Sequence, residues 1–147
     1  MEINNDNIII SNIENYNITF YNGNLILSKK LKKISLEQIK ALDFKNSTII
    51  NCCINNENKS FKKYKQIINY LFEEINDIDI ILDNTILNIE KGKYEDRGYK
   101  FNSKLNISIQ GVDSNKSIQE IFNISKISQI PINIKIKLEN EQIVNIT

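Results

Sequence analysis

Along residues 60–77, SFKKYKQIINYLFEEIND, the apolar side chains Phe61, Tyr64, Ile68, Leu71, Phe72 and Ile75 return at helical intervals and form one stripe. The spacing predicts a long helix over about 60–77, with Ser60 as its N-cap. Elsewhere the period is two. Tyr16, Ile18 and Phe20 alternate with polar residues, Asn22-Gly23 is the pair a type I′ hairpin turn prefers, and Asn24–Ser28 comes next as the partner strand. Thr48–Ile54 reads as a buried strand and Asn55–Lys59 as a loop. Ile78–Leu82 and Thr85–Glu90 read as strands around an Asp83-Asn84 turn. Phe101–Gln110 alternates along its length, with Leu105, Ile107 and Ile109 on one face. Ile132, Ile134, Ile136 and Leu138 alternate with Asn133, Lys135 and Lys137, and Gln142–Ile146 is the last strand. Two capping-box patterns, Ser35-Leu36-Glu37-Gln38 and Ser117-Ile118-Gln119-Glu120, predict shorter helices over about 35–43 and 117–127.

These elements define an α+β protein of mostly antiparallel sheet, with the long helix laid centrally across a sheet face and the two shorter helices beside it. At 147 residues, with no Gly-, Pro- or Ser-rich linker, the chain is expected to form a single domain over 1–147. Phe44, Ile49 and Ile54 fall five apart, but the long helix interrupts that spacing and no repeat is read from it.

Composition changes the picture in three places. Ile, Asn and Lys are abundant while Ala and Pro each occur once, at Ala41 and Pro131. AT-rich codons produce that combination, so the Asn content is no functional clue and the source is expected to be an AT-rich bacterium or phage. The complete absence of His excludes Ser-His and Cys-His nucleophiles and every His-containing metal site. Cys52 and Cys53 are adjacent, which disfavours a disulfide between them, and two thiols are too few for a cysteine zinc site. No apolar run approaches a membrane span and the N-terminus has no basic leader, so a cytoplasmic location with free thiols and no membrane partner is expected.

Formal net charge is only +1, but it is unevenly spread. Ten Lys lie between Lys29 and Lys65 against Glu37, Asp43 and Glu57, whereas eight acids lie between Gln66 and Asp96 against Lys91 and Lys93. Within the long helix the arrangement opposes the macrodipole: Lys62, Lys63 and Lys65 stand at the positive end, and Glu73, Glu74 and Asp77 at the negative end. A local rule broken without visible return marks a candidate site.

Charge and residue type single out two candidate binding sites. In the loop Lys91–Lys100, Tyr94, Arg97, Tyr99 and Lys100 supply residue types that dominate protein interfaces, between two glycines, with Arg97 pairing to Glu95 or Asp96 as the alternative. Lys29, Lys30, Lys32, Lys33, Lys62, Lys63 and Lys65 form the second, a surface for phosphate or acidic protein. Phe61 and Tyr64 are assigned to the core stripe, away from base stacking. Asp79 with Asp83 and Glu95 with Asp96 are acid pairs of a common kind, and Gly is too sparse for a phosphate-binding loop. No catalytic residue, metal ligand or cofactor is assigned. The expected function is a non-enzymatic domain that binds another protein, as an assembly component or an inhibitor or immunity-type partner. An open edge at Gln142–Ile146 would also permit a homo-oligomer. The alternative is a nucleic-acid-binding module using the lysines.

Overall fold

The computed structural model describes residues 37–147 with their side chains, and the backbone of 2–3, 8–9, 16–21, 24–29, 32–34 and 36. Two compact units divide the chain, Met1–Lys32 and Lys33–Thr147. In the first, β1 (Glu2–Ile3) pairs antiparallel with β2 (Ile8–Ile9), and β3 (Tyr16–Tyr21) with β4 (Asn24–Lys29). The β3–β4 register runs from Tyr16 opposite Lys29 to Tyr21 opposite Asn24, the hairpin that alternation predicted. The Asn22-Gly23 turn itself, like Ser35, lies outside the described residues.

A five-stranded sheet has the order β5 (Lys32–Ile34), β12 (Ile143–Ile146), β11 (Ile132–Lys137), β6 (Thr48–Ile54), β7 (Glu57–Lys59). β8 (Ile89–Lys91), β10 (Ile107–Gln110) and β9 (Tyr99–Asn102) form a three-stranded antiparallel sheet in that order. Four helices accompany them: α1 (Leu36–Lys40), α2 (Tyr64–Ile75), α3 (Ile78–Asn84) and α4 (Ser114–Ser128). The protein is α+β with antiparallel sheets, and α4 is its longest helix among the described residues.

The Ile alternation of β11 sets the layer. Ile132, Ile134 and Ile136 are buried while Asn133, Lys135 and Lys137 are half-buried, so one face of the sheet meets the core. On that face α2 contributes Tyr64, Ile67, Ile68, Leu71 and Phe72, and α4 contributes Ile118, Ile121, Phe122 and Ile124, all in one core with Val144 and Ile146. At roughly 1.5 to 3 kcal/mol for each large side chain fully buried, this stripe, not helix propensity, holds α2 in place. Phe61 and Ile75, assigned to the stripe from sequence, are only half-buried, and Phe61 precedes the helix.

Several elements depart from the sequence pattern for identifiable reasons. β6 carries an irregularity: Lys135 faces Asn51 but Ile136 faces Ile49, which leaves Ile50 as an extra residue, 47 % exposed. The bulge returns Ile49 to the core side, so the strand is half-buried. Asn55 and Asn56 have φ of 52° and 63°, the pair of left-handed residues a type I′ turn requires, and they join β6 to β7 where a loop was expected. Ile78–Leu82 is helical, because the Asp77 carboxylate accepts from Asp79 N at 3.1 Å and Ile80 N at 3.2 Å and caps α3. Asp83 and Asn84 close that helix instead of making a tight turn, and of the expected strand Thr85–Glu90 only its end is extended, as β8.

The stretch Phe101–Gln110 is two strands. Asn102 Oδ1 accepts from Lys104 N and Leu105 N at 3.1 and 3.2 Å, and Asn106 adopts φ 53°, turning the chain between β9 and β10. α4 starts three residues earlier than its capping-box pattern suggested, since Asp113 Oδ1 accepts from Lys116 N at 2.8 Å. Among the described residues five of the eight non-Gly positions with positive φ are Asn, so in a chain with four Gly the Asn residues take over glycine's turn role. The strand β12 lies between β5 and β11, so Gln142–Ile146 is not the open edge expected there.

Candidate functional site

The start of α2 is built without a side-chain cap. Lys63 occupies the N-cap position with extended backbone, φ −136° and ψ 143°, and an ammonium cannot accept a hydrogen bond. Gln66 Oε1 compensates from inside the helix, accepting from Lys62 N at 2.9 Å and Lys63 N at 3.0 Å. Ser60, the expected cap, lies before the helix. Tyr64 then anchors the first turn: Ser47 Oγ donates to Phe44 O at 2.6 Å, so the 2.5 Å contact between Ser47 Oγ and Tyr64 Oη is donated by the phenol. Burial pushes the Tyr64 phenol up from its ordinary pKa.

Lys62, Lys63 and Lys65 are exposed, and none makes an ion pair with a described residue. The acids at the other end of the helix are differently placed. Glu73 accepts from Asn102 Nδ2 at 3.1 Å and pairs with Lys104 Nζ at 3.1 Å, and Asp77 caps α3. Structure therefore accounts for Glu73 and Asp77 and leaves the three lysines without an ionic partner among the described residues.

They rim a depression of about 330 Å³. Its lining includes Ser47, Tyr64, Val112 and two residues from the first turn of α4, Ser114 and Ser117, so two helix N-termini converge on one place. Ser117 is only 5 % exposed, yet its hydroxyl has no hydrogen-bond partner among the described residues. Its pattern had suggested a cap. Asn115 fixes this end of α4 by accepting from Phe44 N at 2.7 Å through Oδ1 and donating to Asp43 Oδ1 at 3.2 Å. Hydrogen bonds from Lys45 N and from Asn115 hold the Asp43 carboxyl below its ordinary pKa.

Lys65 also lines a second cleft of about 200 Å³, with Lys100, Gly98, Phe101 and Gly111. The two candidate sites thus adjoin: the cleft brings Lys100 of the Tyr94–Lys100 set to Lys65. The loop is tied to β10 and the residue that follows it. Ser108 Oγ accepts from Tyr94 N and donates to Gly92 O, both at 2.8 Å, and Gly98 O accepts from Gly111 N at 3.0 Å. Gly92 and Gly98 have φ of 79° and 81°, where a side chain would be strained. Tyr94 and Tyr99 pack edge to face, 5.0 Å between centroids at 75°. Tyr99 and Lys100 belong to β9 instead of the loop. Arg97 makes no ion pair among the described residues; Lys93 pairs with Glu95 at 3.8 Å, and Asp96 Oδ1 accepts from Arg97 N at 2.8 Å. Of the remaining lysines, Lys29 stands on β4, Lys32 and Lys33 stand on β5, and Lys30 lies outside the described residues.

A third feature was missed in sequence. Phe61, Tyr70 and Phe101 line an open cleft of about 450 Å³ beside Gln66, Asn69 and Asn102. Phe61 packs edge to face on Tyr70 at 5.8 Å, and Lys59 Nζ lies 5.5 Å over the Tyr70 ring. Phe101 and Asn69 line both this cleft and the one holding Lys65. All three rings are half-buried, and Phe61 is among them because it precedes α2.

Catalytic chemistry finds little here. Cys52 and Cys53 are free, and burial pushes the Cys52 thiol up to about 12, where it is inert as a nucleophile. No group of three metal-ligating side chains occurs among the described residues. The one carboxylate in the core of the described residues, Glu120, is satisfied by Thr85 Oγ1 at 2.5 Å, Ile86 N at 3.0 Å and Asn123 Nδ2 at 3.3 Å, a clasp between α4 and the chain leaving α3. No helix among the described residues is long and apolar enough to cross a membrane. No family model, curated protein or solved structure matches this chain.

Proposed function

We propose that this protein is a non-enzymatic binding domain that docks an acidic surface of another protein. The observation that carries the reading is the run of cations Lys62, Lys63, Lys65 and Lys100 along two adjoining clefts, with none of them in an ion pair to a described residue. Like charges gathered without counter-charges repel one another, and an acidic partner removes that cost while it steers encounter. Tyr94 and Arg97 in the loop and Tyr99 on β9 do not line the second cleft, but they precede Lys100 along the chain and supply the aromatic and guanidinium contacts typical of interface centres. The free thiols support a reducing, cytoplasmic setting.

The test is affinity capture from nuclease-treated host lysate with wild type and with the Lys62→Glu, Lys63→Glu, Lys65→Glu variant, then titration of the purified captured protein. An acidic protein that binds wild type directly and loses at least about tenfold in affinity to the variant supports the reading, since several rim charges change sign together. Equal binding by both proteins overturns it.

The half-exposed rings of Phe61, Tyr70 and Phe101 beside Lys65 favour a second reading, single-stranded nucleic acid, in which bases stack while phosphates meet lysine. It predicts steep loss of oligonucleotide affinity between low and moderate salt, and further loss in Phe61→Ala.

A further inference from the structure

The lysine-rimmed depression differs from a merely basic surface in what lies at its base. Ser47 spends its proton on Phe44 O and Tyr64 spends its own on Ser47 Oγ, so neither hydroxyl is free to donate outward. Ser117 is the opposite case: a side chain 5 % exposed, lining the depression, with a hydroxyl that meets no described acceptor. Among the described residues every fully buried side-chain polar atom has a partner, so the unpartnered Ser117 hydroxyl opens to the clefts it lines, where an acceptor oxygen can reach it. Ser114, at the first position of α4, adds a second hydroxyl without a described partner.

Lys62, Lys63 and Lys65 line the same depression. The first N–H groups of α2 and α4 have no acceptors within their own helices, and both helices direct the positive ends of their dipoles toward this place. Two carboxylates are close in sequence. Asp113 Oδ1 is bonded to Lys116 N and Asp43 Oδ1 to Lys45 N and Asn115 Nδ2, and neither residue lines the depression. Three lysines lining one depression with two hydroxyl donors match a compact anion with more than one charge and several acceptor oxygens.

We infer that this depression is a binding site for a phosphate monoester, with Ser117 and Ser114 donating to its oxygens and Lys62, Lys63 and Lys65 neutralising its charge. The inference deepens the proposed docking reading and rests on it for the role of the three lysines. It adds that the acidic partner presents a phosphoryl group, where carboxylates alone would leave Ser117 unused.

The experiment follows backbone amide NMR shifts as inorganic phosphate, and then O-phosphoserine, is added at constant ionic strength with chloride as the balancing anion. Polyglutamate is titrated separately. Shifts confined to residues 62–66 and 114–118 are expected with both phosphates. Ser117→Ala is expected to weaken phosphate about tenfold, the loss of one hydrogen bond to a charged group, while leaving polyglutamate unchanged. Lys63→Gln, at an exposed position outside the core, reports the same site without touching the packing. Phosphate shifting these amides no more than chloride does, or binding Ser117→Ala as well as wild type, overturns the phosphate site; the docking reading stands if polyglutamate still binds and the charge-reversed variant loses it. Failure of phosphate and polyglutamate together overturns both.

Discussion

The two helices that pack against each other, α2 and α4, solve the same problem in opposite ways. α4 begins at Asp113, a carboxylate that caps its first turn, and ends with Lys126 near its C-terminus, as the dipole favours. α2 begins with lysines, has no acid in its first turn and no basic residue in its last. What replaces local capping in α2 is tertiary: five buried side chains, the Tyr64–Ser47–Phe44 hydrogen bonds and the inward Gln66. A helix whose packing exceeds the cost of a poor terminus is free to carry charges that serve something other than its own stability. α4 has its own departure from the rules, and it lies in the middle, where Glu120 is wholly buried.

The largest effect is expected at that carboxylate. Glu120→Ala leaves Thr85 Oγ1 and Ile86 N without their acceptor, removes the longer of the two bonds from Asn123 Nδ2, which keeps Asn84 O, and opens a small cavity, so it should cost about 2 to 4 kcal/mol in denaturant unfolding. Glu120→Gln keeps an acceptor for Ile86 and Asn123, and its amide can donate to Thr85 Oγ1, so a much smaller loss is expected. A loss as large as alanine's would show that the charge itself is needed.

The same carboxylate carries a pH signature. Burial pushes the Glu120 carboxyl up from its ordinary value of 4.5, against the hydrogen bonds of Thr85, Ile86 and Asn123 and the charge of Lys116. The folded state therefore holds this proton to higher pH than the unfolded chain does, and the stability so contributed, full below the ordinary value, is lost as pH rises through the raised one. Measured as the difference between wild type and Glu120→Gln, unfolding free energy should fall as pH rises past the ordinary value of 4.5 and then level off. A difference that grows with pH would mean the carboxyl is held below 4.5 instead.

Next in size is the α4 cap. Asp113→Ala should cost about 1 kcal/mol, since the Lys116 N–H loses its side-chain acceptor. No change in unfolding midpoint would mean that α4, like α2, is held by packing alone, and the contrast between the helices would disappear.

How much of this was readable from sequence varies with the physical range of the determinant. β11 could be read because Ile132, Ile134 and Ile136 alternate strictly with polar residues, and the centre of α2 because its period holds over several turns. α3 could not, since Ile78, Ile80, Ile81 and Leu82 fit a short strand as well as a helix, and the deciding fact was that Asp77 caps α3 instead of ending α2. The bulge at Ile50 depends on its partner strand β11, far along the chain, and has no local signature. At the candidate site the lysines were found by their conflict with the dipole, a local property. Ser117 was not, because its unpartnered hydroxyl is visible only once α4 lies beside α2.

The smallest effect has the opposite sign and separates the two helices most directly. Lys63 already has the extended backbone of an N-cap, so Lys63→Asp requires no rearrangement to accept from the N–H groups of Lys65 or Gln66. A carboxylate there also meets the positive end of the dipole. The variant should be more stable than wild type by about 0.5 to 1 kcal/mol in denaturant unfolding, while Asp113→Ala at the matching place in α4 is less stable. It should also lose affinity for the acidic partner, because it brings a negative charge to the rim that Lys62, Lys63 and Lys65 form. Stability gained as binding falls is the behaviour of a helix terminus kept poor for the sake of its ligand. A variant that loses stability would show instead that Lys63 supports the fold, and the lysines would then need no partner to explain them.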